Sequence, residues 1–242
     1  MAATAGGAAQ PTLPVPGDPL LRVSVWDLPV RLTHWVNVLC IVILSVTGYY
    51  ISQPFLFTRA SANGQFVMGS ARFIHFAFAF LFTASVAFRV YWSFRGNQWA
   101  GWRQLLPSTK KRRGLLRSQV AYYIFLRRKP PKQVGHNPLA GLSYLVIYGL
   151  FAVQVLTGFG LYSLGFEGGV WPTLFGWLPV LLGVTSLRLV HDLVMFAFFA
   201  FTVHHVYSAI LIDIEERSGL VSSIVTGYKT LTAGHIREGR DD

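Results

Sequence analysis

Three of the chain's seven histidines, His191, His204 and His205, lie in one apolar run from Arg188 to Asp213. Crossing a bilayer takes about 20 residues, and ionisable side chains are costly enough inside one to be read as functional. On a helix of about 100° and 1.5 Å per residue, the 14 positions from His191 to His205 rotate the two by only about 40° and separate them by about 21 Å. One face therefore carries two imidazoles, one near each membrane surface. His204 is rotated by about 140° from His191 and is expected to face a neighbouring helix or a lipid headgroup. A single zinc could not bind both His191 and His205, because its ligand bonds are about 2 Å long. Two haem irons could, each taking one axial imidazole from this helix and a second from another helix of a bundle. The rest of the chain should then hold one partner histidine at each depth.

The composition permits this. Of the 242 residues, 52% are hydrophobic and 13% charged, with a mean hydropathy of +0.45, values of a membrane protein rather than a soluble globular one. The formal charge of +11 does not indicate nucleic acid, because 11 of the 21 basic residues fall between Arg95 and Lys132. A basic block between two spans is an orientation signal. The one cysteine, Cys40, lies in an apolar run and reads as packing. No disulfide can form within the chain, and no C-x-x-C-H is present to attach a c-type haem. Ligation and packing alone must therefore hold a b-type group.

Four apolar runs, at about 33–52, 71–94, 139–163 and 188–212, can position these residues. The expected fold is an all-α membrane protein, a four-transmembrane-helix bundle formed by one domain over 23–232. Residues 1–22, rich in Ala, Gly and Pro, read as a flexible tail, residues from Asp213 onward as polar, and 233–242 as a C-terminal tail. The first apolar run is too long, and lacks the basic flank, for a signal peptide. Between Gly165 and Thr185 the chain is nearly uncharged, but Pro172, Pro179 and the glycines at 165, 168, 169 and 176 argue against a spanning helix. Trp171 and Trp177 suit an interface, and the stretch reads as an apolar external loop. Outside the spans, 17 Lys and Arg lie on the side of both termini and three, Arg59, Arg72 and Arg188, on the other. The positive-inside rule then puts both termini in the cytoplasm.

With that orientation the partners can be sought by depth. His34 opens the first span at the cytoplasmic end, level with His205; His75 opens the second at the external end, level with His191. The expected iron ligands are thus His34 with His205 and His75 with His191. Arg31, Arg72 and Arg188 each precede one of these histidines by three residues, on the same helical face, where they could pair with haem propionates. Arg89 returns to the face of His75 at cytoplasmic depth and needs an anionic partner, a propionate or a quinone pocket. Gly48, Gly158 and Gly160 leave room on their helices for a flat macrocycle, and SVTGYY (45–50) and VLTGFG (155–160) suggest a weak two-helix repeat. Taken singly, each feature has a plainer reading: glycines pack helices, arginines anchor span ends, and a histidine hydrogen-bonds between helices. Four histidines in two depth-matched pairs favour ligation. His136 and His235 lie in polar segments and read as solvated.

The motifs resemble a known family. R-L-T-H-W at Arg31–Trp35, L-S-V-T-G at Leu44–Gly48, R-L-V-H-D at Arg188–Asp192 and H-V-Y at His205–Tyr207 are similar to those of the b-type cytochrome subunit of membrane-bound nickel-iron hydrogenases. The resemblance covers about residues 22–232. The wider superfamily includes the cytochrome b subunits of formate dehydrogenase and thiosulfate reductase and the bacterial b561 cytochromes. The resemblance implies two haem b groups on His34, His75, His191 and His205, in the bacterial cytoplasmic membrane. It also implies electrons passing from the small iron-sulfur subunit of an external hydrogenase, with its large subunit, to quinone. Asn37 and Tyr207 lie near the inner site, where quinone would be reduced. The chain itself has no cysteine set for hydrogen chemistry. The same relay serving another dehydrogenase such as formate dehydrogenase, an ion or metal transporter, and a non-redox anchor are the alternatives. The transporter reading lacks intramembrane carboxylates apart from Asp192, and the anchor reading leaves the histidines without a role.

Overall fold

The long helices start and stop where the local chemistry requires. α1 (Leu28–Ser52) has Pro29 in its first turn, and α4 (Pro138–Ser163) opens on Asn137, whose side chain accepts a 2.7 Å hydrogen bond from the Ala140 amide. α2 (Val67–Arg95) ends at Gly96, and α7 (Val184–Glu216) ends at Arg217, a left-handed residue with φ 52°. In the computed structural model these elements are described within residues 18–55, 66–131, 134–135, 137–234 and 236. Arg59 and the centre of the 53–70 loop, His136, His235 and most of both tails lie outside the described residues. Each of the four helices is long and apolar enough to cross a membrane. Their outward faces carry exposed Leu39, Val46, Phe73, Leu193 and Val203, side chains that lipid rather than water would solvate.

The four pack as two antiparallel pairs, α1 on α2 and α4 on α7, around a central apolar layer to which every helix contributes. Cys40 of α1, Phe82 of α2, Ile147 and Phe151 of α4, and Val194 and Phe198 of α7 are all buried there. Phe151 meets Phe82 at 5.0 Å and Phe198 at 5.2 Å between ring centroids.

Two segments differ from the sequence expectation. The stretch read as an external loop is helical: α5 (Val170–Phe175) and α6 (Trp177–Leu182) are six residues each, about 9 Å long and far too short to span. Proline and glycine break the run into pieces instead of abolishing helix. Trp171 and Phe175 stack on Phe159 of α4 at 5.4 and 5.1 Å, so the segment folds back over the end of the bundle.

The second difference is at the termini. Residues read as tail and polar stretch form an antiparallel two-stranded sheet, β1 (Leu20–Ser24) with β2 (Tyr228–Thr232), in register from Leu20↔Thr232 to Ser24↔Tyr228. The chain reaches it through α8 (Leu220–Thr226), whose first amides Leu220 and Val221 donate to the Asp213 carboxylate at 2.5 and 3.2 Å. Beneath the sheet lies a second small core of Val25, Trp26, Val30, Ala100, Val134 and Leu231. Lys229 is buried in it, 3.7 Å from the Glu216 carboxylate and donating to the Val134 carbonyl at 3.4 Å. Burial pulls the Lys229 pKa below its usual range, and the Glu216 carboxylate opposes the shift. Asp27 and Asn97 lock α1 to the end of α2: the Asn97 amide and side chain both donate to the Asp27 carboxylate, each at 2.9 Å. The basic connection after α2 holds one more helix, α3 (Lys110–Tyr123), capped by Thr109.

Candidate functional site

α7 carries half of the site. The ring of His191 lies 6.4 Å from that of His75 on α2, with an interplanar angle of 64°. The ring of His205 lies 6.4 Å from that of His34 on α1, at 48°. The His34–His205 pair is at the end of the bundle that bears the sheet, and the His75–His191 pair at the far end, with the central phenylalanine layer between them. His205 is fixed by Phe201, stacked at 5.4 Å, and by Tyr144 at 5.9 Å. Its neighbour His204 points away from the bundle; it is exposed, 6.5 Å from the Tyr123 ring of α3 and 3.5 Å from the Ser208 hydroxyl.

The pairs fit an iron held between two imidazoles. Two metal–nitrogen bonds of about 2 Å on opposite sides of one ion would set ring centroids about 6 Å apart, which is the spacing of both. Each site offers two nitrogens, and among the described residues no group of three or more His, Cys, Asp or Glu side chains could hold a metal. That donor set suits an iron whose remaining ligands come from a macrocycle. At the sheet end, His34 Nδ1, Arg31 Nε, Asn37 Oδ1 and Arg89 Nη1 are buried with no hydrogen-bond partner among the described residues. The buried guanidinium nitrogens of Arg31 and Arg89 call for an anionic partner. Arg31 also donates to the Val225 carbonyl, and Arg89 to the Ala100 carbonyl at 3.4 Å. Arg72 and Arg188 are exposed at the far end, and Tyr207 is exposed on α7.

The far pair is held by a motif that occurs twice. The Thr47 hydroxyl lies 2.9 Å from His75 Nδ1, and the Thr157 hydroxyl 2.9 Å from His191 Nδ1. Each threonine donates its own proton back along its helix, to the Ile43 and Val153 carbonyls, both at 2.7 Å. The oxygen is thereby left to accept. The glycine that follows each threonine admits the ring: a methyl on Gly48 would sit 3.1 Å from His75 Cε1, and one on Gly158 3.1 Å from His191 Cε1. Each of these glycines, expected to leave room for a macrocycle, lies against the edge of a histidine ring. Gly160 faces Leu178 and Leu187 instead. The Gln154 amide lies 3.2 Å from His191 Nε2. Sequence reasoning passed over Thr47, Thr157, Gln154 and Tyr144. The repeat of SVTGYY and VLTGFG was the available signal, and its threonine–glycine step is the part that repeats in space.

Comparison with known proteins agrees with this architecture. A family described as prokaryotic cytochrome b561 matches residues 25–227. A protein of Cupriavidus necator named a probable Ni/Fe-hydrogenase B-type cytochrome subunit is 38% identical over 220 residues, covering 88% of this chain and 89% of its own. One of the same name from Rhodobacter capsulatus is 38% identical over 219 residues, covering 88% and 84%. A probable Ni/Fe-hydrogenase 1 B-type cytochrome subunit of Escherichia coli K12 is 32% identical over 229 residues, covering 90% and 95%. Spans, paired histidines and a match that runs from the first strand's end to the last helix lead to one assignment: the chain belongs to the prokaryotic cytochrome b561 family.

Proposed function

We propose that this membrane cytochrome is a di-haem electron-transfer subunit that anchors a periplasm-facing nickel-iron hydrogenase to the bacterial cytoplasmic membrane and delivers its electrons to quinone. The observation that carries the reading is the pair of matched histidine couples, both at 6.4 Å, at opposite ends of one helix. The names borne by the relatives supply the hydrogenase, through its small iron-sulfur subunit and its large subunit. Haem b at each couple supplies a one-electron redox centre when bound.

The chain's own residues then have defined tasks. His75 and His191 hold the outer site, His34 and His205 the inner one, and Arg31, Arg72 and Arg188 neutralise propionates at the two surfaces. The sheet end is cytoplasmic, as the 17 basic residues on that side favour. The hydrogenase docks at the opposite end, on the 53–70 loop and on α5–α6. Quinone binds beside the inner site, near Asn37, Tyr207 and Arg89, whose guanidinium stabilises an anionic ring oxygen by charge-assisted hydrogen bonding.

A pyridine haemochrome count on the purified protein, with single histidine variants, tests this. Two haems b per chain are expected. His75→Ala and His191→Ala should each lose the outer haem, His34→Ala and His205→Ala the inner one, and His204→Ala neither. A native protein without haem, or equal loss in His204→Ala and His205→Ala, would overturn the assignment.

A further inference from the structure

The two histidine couples are not held alike. At the far end both Nδ1 atoms meet a threonine hydroxyl at 2.9 Å whose own proton is engaged by a helix carbonyl. A hydroxyl oxygen with its proton committed can only accept, so Nδ1 carries the hydrogen. At the sheet end, His34 Nδ1 is buried with no hydrogen-bond partner among the described residues.

We propose that Thr47 and Thr157 are positioning residues that hold His75 and His191 as Nε2 ligands and keep the outer site's reduction potential below that of the inner site. The proposal rests on the two-haem reading above. A ligand imidazole that donates from its far nitrogen is a stronger base toward the metal, and a more basic ligand favours the oxidised, more positive ion. Two such donors at the outer site and an unpartnered Nδ1 on His34 therefore set the sites apart in one direction. An electron entering at the outer site would then move downhill to the inner one. The glycine after each threonine completes the device, since a ring can reach the hydroxyl only by lying against bare backbone.

Optical redox titration of the purified, haem-loaded protein tests the idea, with His75→Ala identifying the outer component. Thr47→Val and Thr157→Val keep the side-chain shape and remove the acceptor. Each should raise the outer potential by up to about tenfold in the reduction equilibrium, about 59 mV for one electron, and leave the inner component in place. Thr47→Ser and Thr157→Ser, which retain the hydroxyl, should titrate as the native protein does. Unchanged potentials in the double valine variant with both haems present would overturn the proposal, as would equal shifts of both components. If the valine variants shed the outer haem, the serine variants decide: retention supports the hydrogen bond, and loss assigns the effect to the methyl group and overturns it. A native protein with fewer than two haems would fail the underlying reading before any threonine is changed, and this proposal with it.

Discussion

Gly48 and Gly158 do for shape what their neighbouring threonines do for hydrogen bonding. A methyl at either position would crowd a histidine Cε1 at 3.1 Å, whereas one on Gly149 of α4 would meet nothing within 4 Å. Overpacking of this kind costs about 1–3 kcal/mol. Gly48→Ala and Gly158→Ala should therefore lower outer haem content in a haem-per-chain assay while the inner haem stays, and Gly149→Ala should leave both. The histidines were legible in the sequence because a 14-residue interval nearly closes four helical turns; the same phase separates His205, inside the bundle, from His204, outside it. Thr47 and Thr157 were not legible. A threonine in a membrane helix usually bonds its own preceding turn, as both do here, and only coordinates reveal that the oxygen's other side meets a histidine.

The long helices were readable as elements because lipid demands uninterrupted apolar length. The sheet was not, for three physical reasons. Its strands are five residues each and lie at opposite ends of the chain. One of the side chains facing its core is Lys229, which breaks the apolar alternation that would announce a strand. That lysine is 2% exposed and depends on Glu216. Leaving one charge of a buried pair alone costs about 3–5 kcal/mol, while replacing both is often near neutral. Lys229→Met should accordingly lower the thermal unfolding midpoint well below that of the native protein, and Lys229→Met with Glu216→Gln should recover most of the loss. A single variant as stable as the double one would show that the pair carries no such weight. The six-residue helices α5 and α6 were hidden for a different reason: Pro172, Pro179 and the surrounding glycines announce breaks but not what lies between them.

Across the whole molecule, two sites about 21 Å apart on α7 are separated by a layer with no charged side chain, Cys40, Phe82, Ile147, Phe151, Val194 and Phe198. Under the proposed function, electrons taken from a donor on one face would meet quinone protons drawn from the other, next to Asn37 and Arg89. In Asn37→Ala and Arg89→Leu chains that keep both haems, hydrogen oxidation coupled to quinone should fall at least tenfold while oxidation coupled to an artificial dye is maintained. Equal rates with both acceptors would place the quinone elsewhere.

α7 supplies one histidine to each couple, and it is the last long helix to leave the ribosome. His34 and His75 are thus made early, and each precedes its mate in the sequence by a long stretch, His205 lying 171 residues after His34 and His191 116 residues after His75. β1 waits longer still, since its partner strand follows α7 and α8. The paired strands join the start of α1 to the end of α7 at the couple those helices share.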